Sequence, residues 1–279
     1  MKRSLIFGAL GLICLQSHAQ DLRIVPGIWD AQGVPCSAIR ILEEAAPFGA
    51  NAIVDIDANG SAAASLVNLD SLEHTLIISD VDWAGVTVAP GDTVQFNWPE
   101  LTFGTYRYHL SGLRGEFLQA SGILRVGVTA EHRFVWNLAD LQSNWMDAVA
   151  NGMVPIWEDY LPDFFTINEA HYPNTLEDEQ AVVALNLGDT AVISIANAGQ
   201  MDHVLHFHGY HVEILQSTRL PSRTGWIKDS VPIRTGEGLT LQLVPDQTGT
   251  YPVHDHNLIA VTNAGFYPGG MLTHIIVEP

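Results

Sequence analysis

The chain has 279 residues, of which 12 are basic and 31 acidic, for a formal net charge of −19; only 15% of positions are charged. So negative a surface repels nucleic acid and anionic lipid, and neither is an expected partner. Sparse charge together with 24 Gly and 14 Pro favours strands joined by turns over long helices.

Residues 1–19 read as an export signal: Lys2 and Arg3, the apolar run Leu5–Leu15, and the small-x-small site Ser17-His18-Ala19. The run is too short to span a bilayer, and no later segment is long enough. The mature chain is expected to start near Gln20 and to be periplasmic or secreted. Loss of Lys2 and Arg3 leaves ten basic against 31 acidic residues, a net charge of −21. Only Cys36 then remains, so no internal disulfide is available and Cys36 reads as a small buried residue.

Residues 21–60 show no clear strand frame and are expected as an extension packed on a first domain. Strands are then expected at Thr75–Ile78, Val94–Trp98, Ile123–Val128, Phe134–Asn137, Ala181–Leu185, Ala191–Ala196, Val204–Leu215, Leu239–Leu243 and Met271–Val277, where apolar and polar residues alternate or run together. The less regular stretch Ala139–Pro162 has room for a short linking helix. Two stretches repeat at an offset of 145 positions: Pro90-Gly91-Asp92-Thr93-Val94-Gln95-Phe96 closing on Gly104-Thr105-Tyr106-x-x-His109, and Gly236-Glu237-Gly238-Leu239-Thr240-Leu241 closing on Gly249-Thr250-Tyr251-x-x-His254. A period that long predicts two copies of one domain, not a solenoid. The expected class is all-β, two sandwich domains over 20–130 and 131–279.

The chemistry concentrates in the second copy. His206-Phe207-His208-Gly209 and His254-Asp255-His256 each place two imidazoles at i and i+2, on one face of a strand. Imidazole suits copper, zinc, iron and nickel and is a poor ligand for Ca²⁺ or Mg²⁺, and the Irving–Williams order puts copper ahead of zinc. His206, His208, His254 and His256 are therefore the expected metal ligands.

The segment from about Phe165 to Val277 resembles the last domain of multicopper oxidases and of two-domain nitrite-reductase-like copper proteins. The resemblance rests on Phe165-Thr166-Ile167-Asn168, Asn197-Ala198-Gly199, His203-x-x-His206-x-His208-Gly209, Lys228-Asp229-Ser230-Val231, Gly249-Thr250-Tyr251-x-x-His254-x-His256 and Gly270-Met271. The first domain is similar more weakly, through Glu73-His74-Thr75-Leu76, Pro90-Gly91-Asp92-Thr93 and Gly104-Thr105-Tyr106-x-Tyr108-His109. This resemblance implies cupredoxin-like Greek-key sandwiches, copper as cofactor, and a homotrimer in which His109 joins the four histidines across a subunit interface. It also implies that His203 occupies a type 1, blue-copper position while the other histidines face a type 2/type 3 cluster.

The pattern departs from the family where the blue site needs a cysteine thiolate. Asp255 stands at the cysteine position and Ala260 at that of the second imidazole; in the first domain the corresponding residues are Leu110 and Ser111, and the cluster pair near His74 falls on Ile77 and Ser79. A blue centre and a full trinuclear cluster are accordingly not expected. The reading is an exported copper-dependent oxidoreductase with a histidine-only site, acting on a small molecule or metal ion. A copper carrier, buffer or resistance protein is the alternative, and a zinc-filled structural remnant the third. His74, His203, His211 and His274 are read as non-ligands and Met271 as core.

Overall fold

A computed structural model describes residues 20–279; the expected export signal lies outside them. The strands up to residue 126 are β1 (Gln20–Ala31), β2 (Val34–Glu43), β3 (Ile53–Ile56), β4 (Ala63–Asn68), β5 (His74–Ile78), β6 (Val86–Val88), β7 (Thr93–Asn97), β8 (Gly104–Leu110) and β9 (Ser121–Val126). They form a four-stranded sheet β2-β1-β4-β7 and a five-stranded sheet β3-β9-β8-β5-β6. From residue 132 come β10 (His132–Leu141), β11 (Phe164–Ile167), β12 (Val183–Asn186), β13 (Ala191–Asn197), β14 (His203–Phe207), β15 (Val212–Ser217), β16 (Ile227–Lys228), β17 (Ser230–Ile233), β18 (Gly238–Leu243), β19 (Gly249–Asp255) and β20 (Leu272–Glu278). These make a six-stranded sheet β11-β10-β13-β18-β15-β16 and a five-stranded sheet β12-β20-β19-β14-β17.

Residues 21–60 are not a packed extension. Leu22–Ala31 pair residue for residue with Val34–Glu43 as an antiparallel hairpin, and β1 also runs parallel to β4, so this segment builds half of the first sheet. The expected single strand Val204–Leu215 is two strands, because Gly209 turns the chain at φ +76°. A helix α2 (Ser143–Ala150) does lie in Ala139–Pro162, after α1 (Gly112–Phe117). Its Trp145, Met146 and Val149 enter the N-terminal core along with Leu141 and Phe164, so a segment that follows β10 completes the first sandwich.

Strand parity explains how the sandwiches join. On β8, Tyr106, Tyr108 and Leu110 enter the N-terminal core, which turns Thr105, Arg107 and His109 outward; all seven residues are nonetheless buried. On β13, Ile193 and Ile195 enter the C-terminal core, and the outward face is buried as well. The two outward faces pack on each other. Ile53, Ile123, Val135 and Ala196 form a small apolar cluster there, beside hydrogen bonds from Thr105 Oγ1 to Thr240 Oγ1 (2.8 Å) and from Asn137 Nδ2 to Ser121 O (2.7 Å). Gly238 permits this approach, since a Cβ on it would lie 2.1 Å from the Thr105 carbonyl oxygen.

In the C-terminal core, Trp136 stacks on Phe207 at 5.8 Å between ring centroids and donates Nε1–H to the Ala181 carbonyl. Trp136→Ala is expected to cost about 3–5 kcal/mol, the usual range for removing a buried aromatic. Denaturant unfolding measures it, and the variant should also bind metal less well, because Phe207 lies between His206 and His208.

Candidate metal centre

Each candidate ligand is placed by the pairing of β14 with β19. The register sets His206 opposite His254, Leu205 opposite Asp255 and Phe207 opposite Val253. Leu205, Phe207 and Val253 point into the core, so the period-two pleat turns His206 and His254 outward. His208 and His256 continue the outer face beyond the strand ends, held by His208 N–H to Pro252 O (3.1 Å) and His256 N–H to Val204 O (2.7 Å).

The four rings gather on this face. Ring centroids lie 4.6 Å apart for His206–His208, 5.8 Å for His206–His254, 5.7 Å for His206–His256 and 5.1 Å for His208–His254. Two of the rings have their metal-facing nitrogen fixed. His206 Nδ1–H donates to Asp229 O (3.2 Å) and Ser230 Oγ (3.0 Å), and His254 Nδ1–H donates to Asp255 O (2.8 Å), which leaves the Nε2 lone pair of each neutral ring facing outward. His208 Nε2 lies 3.0 Å from His254 Nε2. Two nitrogens about 2.0–2.1 Å from one ion stand about 3 Å apart, so this pair fits a shared metal ion. Partial burial and the neighbouring His206 and His254 hold the His208 imidazole below its ordinary pKa, toward the neutral form that ligates. Among the described residues no three His, Cys, Asp or Glu side chains already close around one point. His208 and His254 are the preformed part, with His206 and His256 flanking them.

The residues at the positions where the resemblance implies a blue centre come together on the inner face. His203, Asp255, Ala260 and Met271 are all buried; Met271 N–H donates to Ala260 O (2.8 Å) and Asp255 N–H to Met271 O (3.1 Å). Both ring nitrogens of His203 are engaged, Nδ1 with Asp255 Oδ2 (2.5 Å) and Nε2 with Asp140 Oδ1 (3.1 Å), so it has no lone pair for a metal. Burial alone would depress its pKa. The hydrogen bonds and charges of Asp140 and Asp255 outweigh that and push it up to about 9, so His203 is an imidazolium at neutral pH. Tyr160 Oη–H (2.5 Å) and the backbone N–H groups of Gln200 and Met201 (3.0 Å each) donate to Asp140, while Asn257 N–H donates to Asp255 (2.8 Å). The sequence pattern does not point to Asp140 and Tyr160; the signal it holds is a single carboxylate in Phe134–Leu141, a stretch otherwise apolar but for Asn137.

His109 stands apart from the four rings, on the buried outward face of β8. Its Nδ1–H is shared by Glu116 (3.0 Å) and Leu110 O (3.2 Å), and Arg107 donates to the other Glu116 oxygen (2.8 Å). Burial, then the Arg107 charge, lower the His109 pKa. Burial acts to raise that of Glu116, but His109 and Arg107 prevail and hold it near 2. His74 is bonded through Nε2 to Asp70 (2.7 Å), which Arg114 also holds (3.1 Å). His211 is exposed, and His274 lies beside Tyr172.

Residues 154–269 match the sequence profile of the multicopper oxidases. Comparison with curated protein sequences finds no match. Among solved structures, the blue copper oxidase of Nitrosomonas europaea superposes with a TM-score of 0.78 at 22% identity, over 92% of this chain and 85% of that one. The multicopper oxidase mgLAC gives 0.78 at 20% identity over the same shares. The copper nitrite reductase of Nitrosomonas europaea gives 0.69 at 17% identity, over 92% of this chain and 93% of that one. The fold is therefore all-β, built of two cupredoxin-like sandwiches. The resemblance read from the histidine motifs to multicopper oxidases and copper nitrite reductases is borne out.

The His203 cage predicts a pH dependence. Its folded pKa of about 9 exceeds the ordinary 6.5, so its stabilisation is fully present below pH 6.5 and is lost as pH rises through about 9. The displacement is worth about 3 kcal/mol. Unfolding free energies at pH 6 and pH 10 should differ by roughly that amount in the native chain, and His203→Gln should remove most of the difference.

Proposed function

We propose that the chain is an exported copper protein whose outer-face histidines, His206, His208, His254 and His256, hold copper and make it an oxidoreductase without a blue centre. The observation that carries this reading is the 3.0 Å approach of His208 Nε2 to His254 Nε2 beside two further imidazoles. Copper so held supplies a centre that exchanges single electrons and polarises a small molecule bound beside it. The chain's own part is to aim and expose the site. Ser230 and Asp229 orient His206, and the Asp255 carbonyl orients His254. His208 and His256 remain exposed, so a small phenol, nitrite, oxygen or a metal ion can reach them from solvent.

The sequence of residues 1–19 supports the export reading, and the acidic surface suits a protein that gathers cations. A homotrimer is the assembly we infer. The five-stranded sheets of the two halves have the same strand order, yet the outward face is covered in the first and open in the second. Leu258, Ile259, Phe266 and Tyr267 follow His256 in sequence and are 68, 44, 79 and 73% exposed, an apolar fringe suited to a second copy. Such a neighbour would bring its own His109 toward the site only if Glu116 releases it.

One observation favours the alternative of a copper carrier or buffer. His203 and Asp255, where the resemblance would put a blue centre, are bound to each other and His203 also to Asp140, which leaves no second copper there to pass electrons on, and binding alone needs no relay.

Copper content per chain after loading, with the electron paramagnetic resonance spectrum, tests the site. The native chain should bind copper without intense blue colour, and a His208→Ala, His254→Ala double variant should lose most of it. Turnover of a phenol or nitrite that disappears in this variant supports the enzyme; tight copper without turnover supports the carrier. Retention of full copper by the double variant would sink both. Light scattering should give three copies, and a monomer of undiminished copper affinity would remove His109 from the site.

A further inference from the structure

The sandwiches meet through faces that carry many polar groups, and the buried atoms there without a protein partner include Gln119 Nε2, Asn137 Oδ1, Thr166 Oγ1 and Glu169 Oε2. All four residues line one small cavity at the seam. Thr166 is 0% and Gln119 5% exposed, so neither has access to bulk water. Buried polar groups in folded proteins are paired, and several orphans around one cavity point to a shared ligand.

The hydrogen bonds these residues do make fix what each still offers. Gln119 Oε1 accepts from Arg40 (2.9 Å), so its amide is oriented and Nε2 remains a donor. Asn137 Nδ2 donates to Ser121 O (2.7 Å), which leaves Oδ1 as an acceptor. Glu169 Oε1 accepts from Asn51 Nδ2 (2.7 Å) and Asn51 N–H (3.3 Å), and Oε2 is left as a second acceptor. The Thr166 hydroxyl can serve either way.

We infer that this cavity binds a single ordered water molecule that clasps the two sandwiches together. Water alone matches the set: it accepts from Gln119, donates to Asn137 and Glu169, and takes Thr166 as its fourth partner. A metal cation would face the Gln119 N–H donor. An anion would face the carboxylates of Glu169 and Glu116, which also lines the cavity. An apolar occupant would leave all four atoms unpaired. The size agrees, because about 10 Å³ is open to the centre of a water-sized sphere, room for one molecule. Gln119 belongs to the N-terminal sandwich, while Asn137, Thr166 and Glu169 belong to the C-terminal one, so the water's bonds cross the seam.

The backbone around Glu169 shows how firmly this side is built. Asn168 and Glu169 both sit at left-handed φ, +53° and +62°, in the two-residue turn between Ile167 and Ala170. Side chains rarely adopt that conformation without support. Here Asn168 Nδ2 donates to Val135 O (2.7 Å) and Asp178 (2.8 Å), while Trp29 Nε1 donates to the Glu169 carbonyl (3.0 Å). The turn delivers the carboxylate into the seam.

A high-resolution crystal structure of the full mature chain tests the inference, with one crystal soaked in thallium(I) salt. A single solvent peak within hydrogen-bonding distance of the four atoms, without anomalous signal after the soak, is the expected result. An anomalous peak there would assign a cation instead. A cavity closed by direct pairing of the four atoms would also overturn the proposal. In solution, a dipolar cross-peak between long-lived water and the Gln119 amide protons is expected, and its absence would count equally against it.

Discussion

The pairing of β14 with β19 is the constraint from which the site follows. One register puts His206 across from His254 and Leu205 across from Asp255, and the pleat does the rest. Imidazoles collect on the open face, where water satisfies them in the absence of metal. The one acid in the second motif goes inside, where it must meet a cation. A slip by one residue would reverse every side chain on β14, burying the imidazoles and exposing Leu205 and Phe207. The apolar side chains on the inner face therefore hold the four imidazoles on the outer one.

What the inner face does with Asp255 is a question of charge. Two buried carboxylates cannot stand unpaired in a low-dielectric interior, and one imidazolium compensates only one of them. The remainder is spread over donors: Tyr160, four backbone N–H groups and the His203 ring itself. Tyr160 and Asp140 arrive from segments 43 or more positions away in sequence from either end of the His203–Asp255 pair, and they fill space around a centre that has no thiolate. The scaffold therefore keeps the arrangement of His203, Asp255, Ala260 and Met271 with hydrogen bonds alone. In such a cage the shared protons of His203 hold Asp140 and Asp255 together across the inner face.

Local patterns made the two-fold repeat and the His-x-His pairs readable from the chain itself. The 145-position offset reappears in space as β8 and β19, Gly104–Leu110 and Gly249–Asp255, at equivalent places in sheets of identical order. The hairpin of β1 and β2 was not readable, for a physical reason. Leu22 and Ile24 are buried at even positions but Trp29 and Ala31 at odd ones, so the alternation changes phase within one strand. In β2, Ala38–Leu42 are buried without alternation because α2 covers the face that solvent would otherwise wet. The cage around His203 was equally hidden. Strand parity showed that His203 points away from the other histidines, but not which side chains wait on the far side.

His109 and His254 show why a motif is not yet a site. Both occupy the same position of the repeat, and both direct Nδ1–H to the carbonyl of the next residue, Leu110 and Asp255. Their ligating nitrogen is therefore prepared in the same way. They differ in what covers the sheet. Around His109 the second sandwich and α1 close over the face, and Glu116 claims the ring; around His254 the face is open and three more imidazoles lie within reach. Within one chain, the imidazoles that carboxylates have not claimed gather on the open face, because the histidines buried at His74 and His203 are already bound to carboxylates. Joining His109 to it requires a rearrangement that frees the ring from an ionised Glu116, and the Arg107 bond to that same carboxylate opposes it.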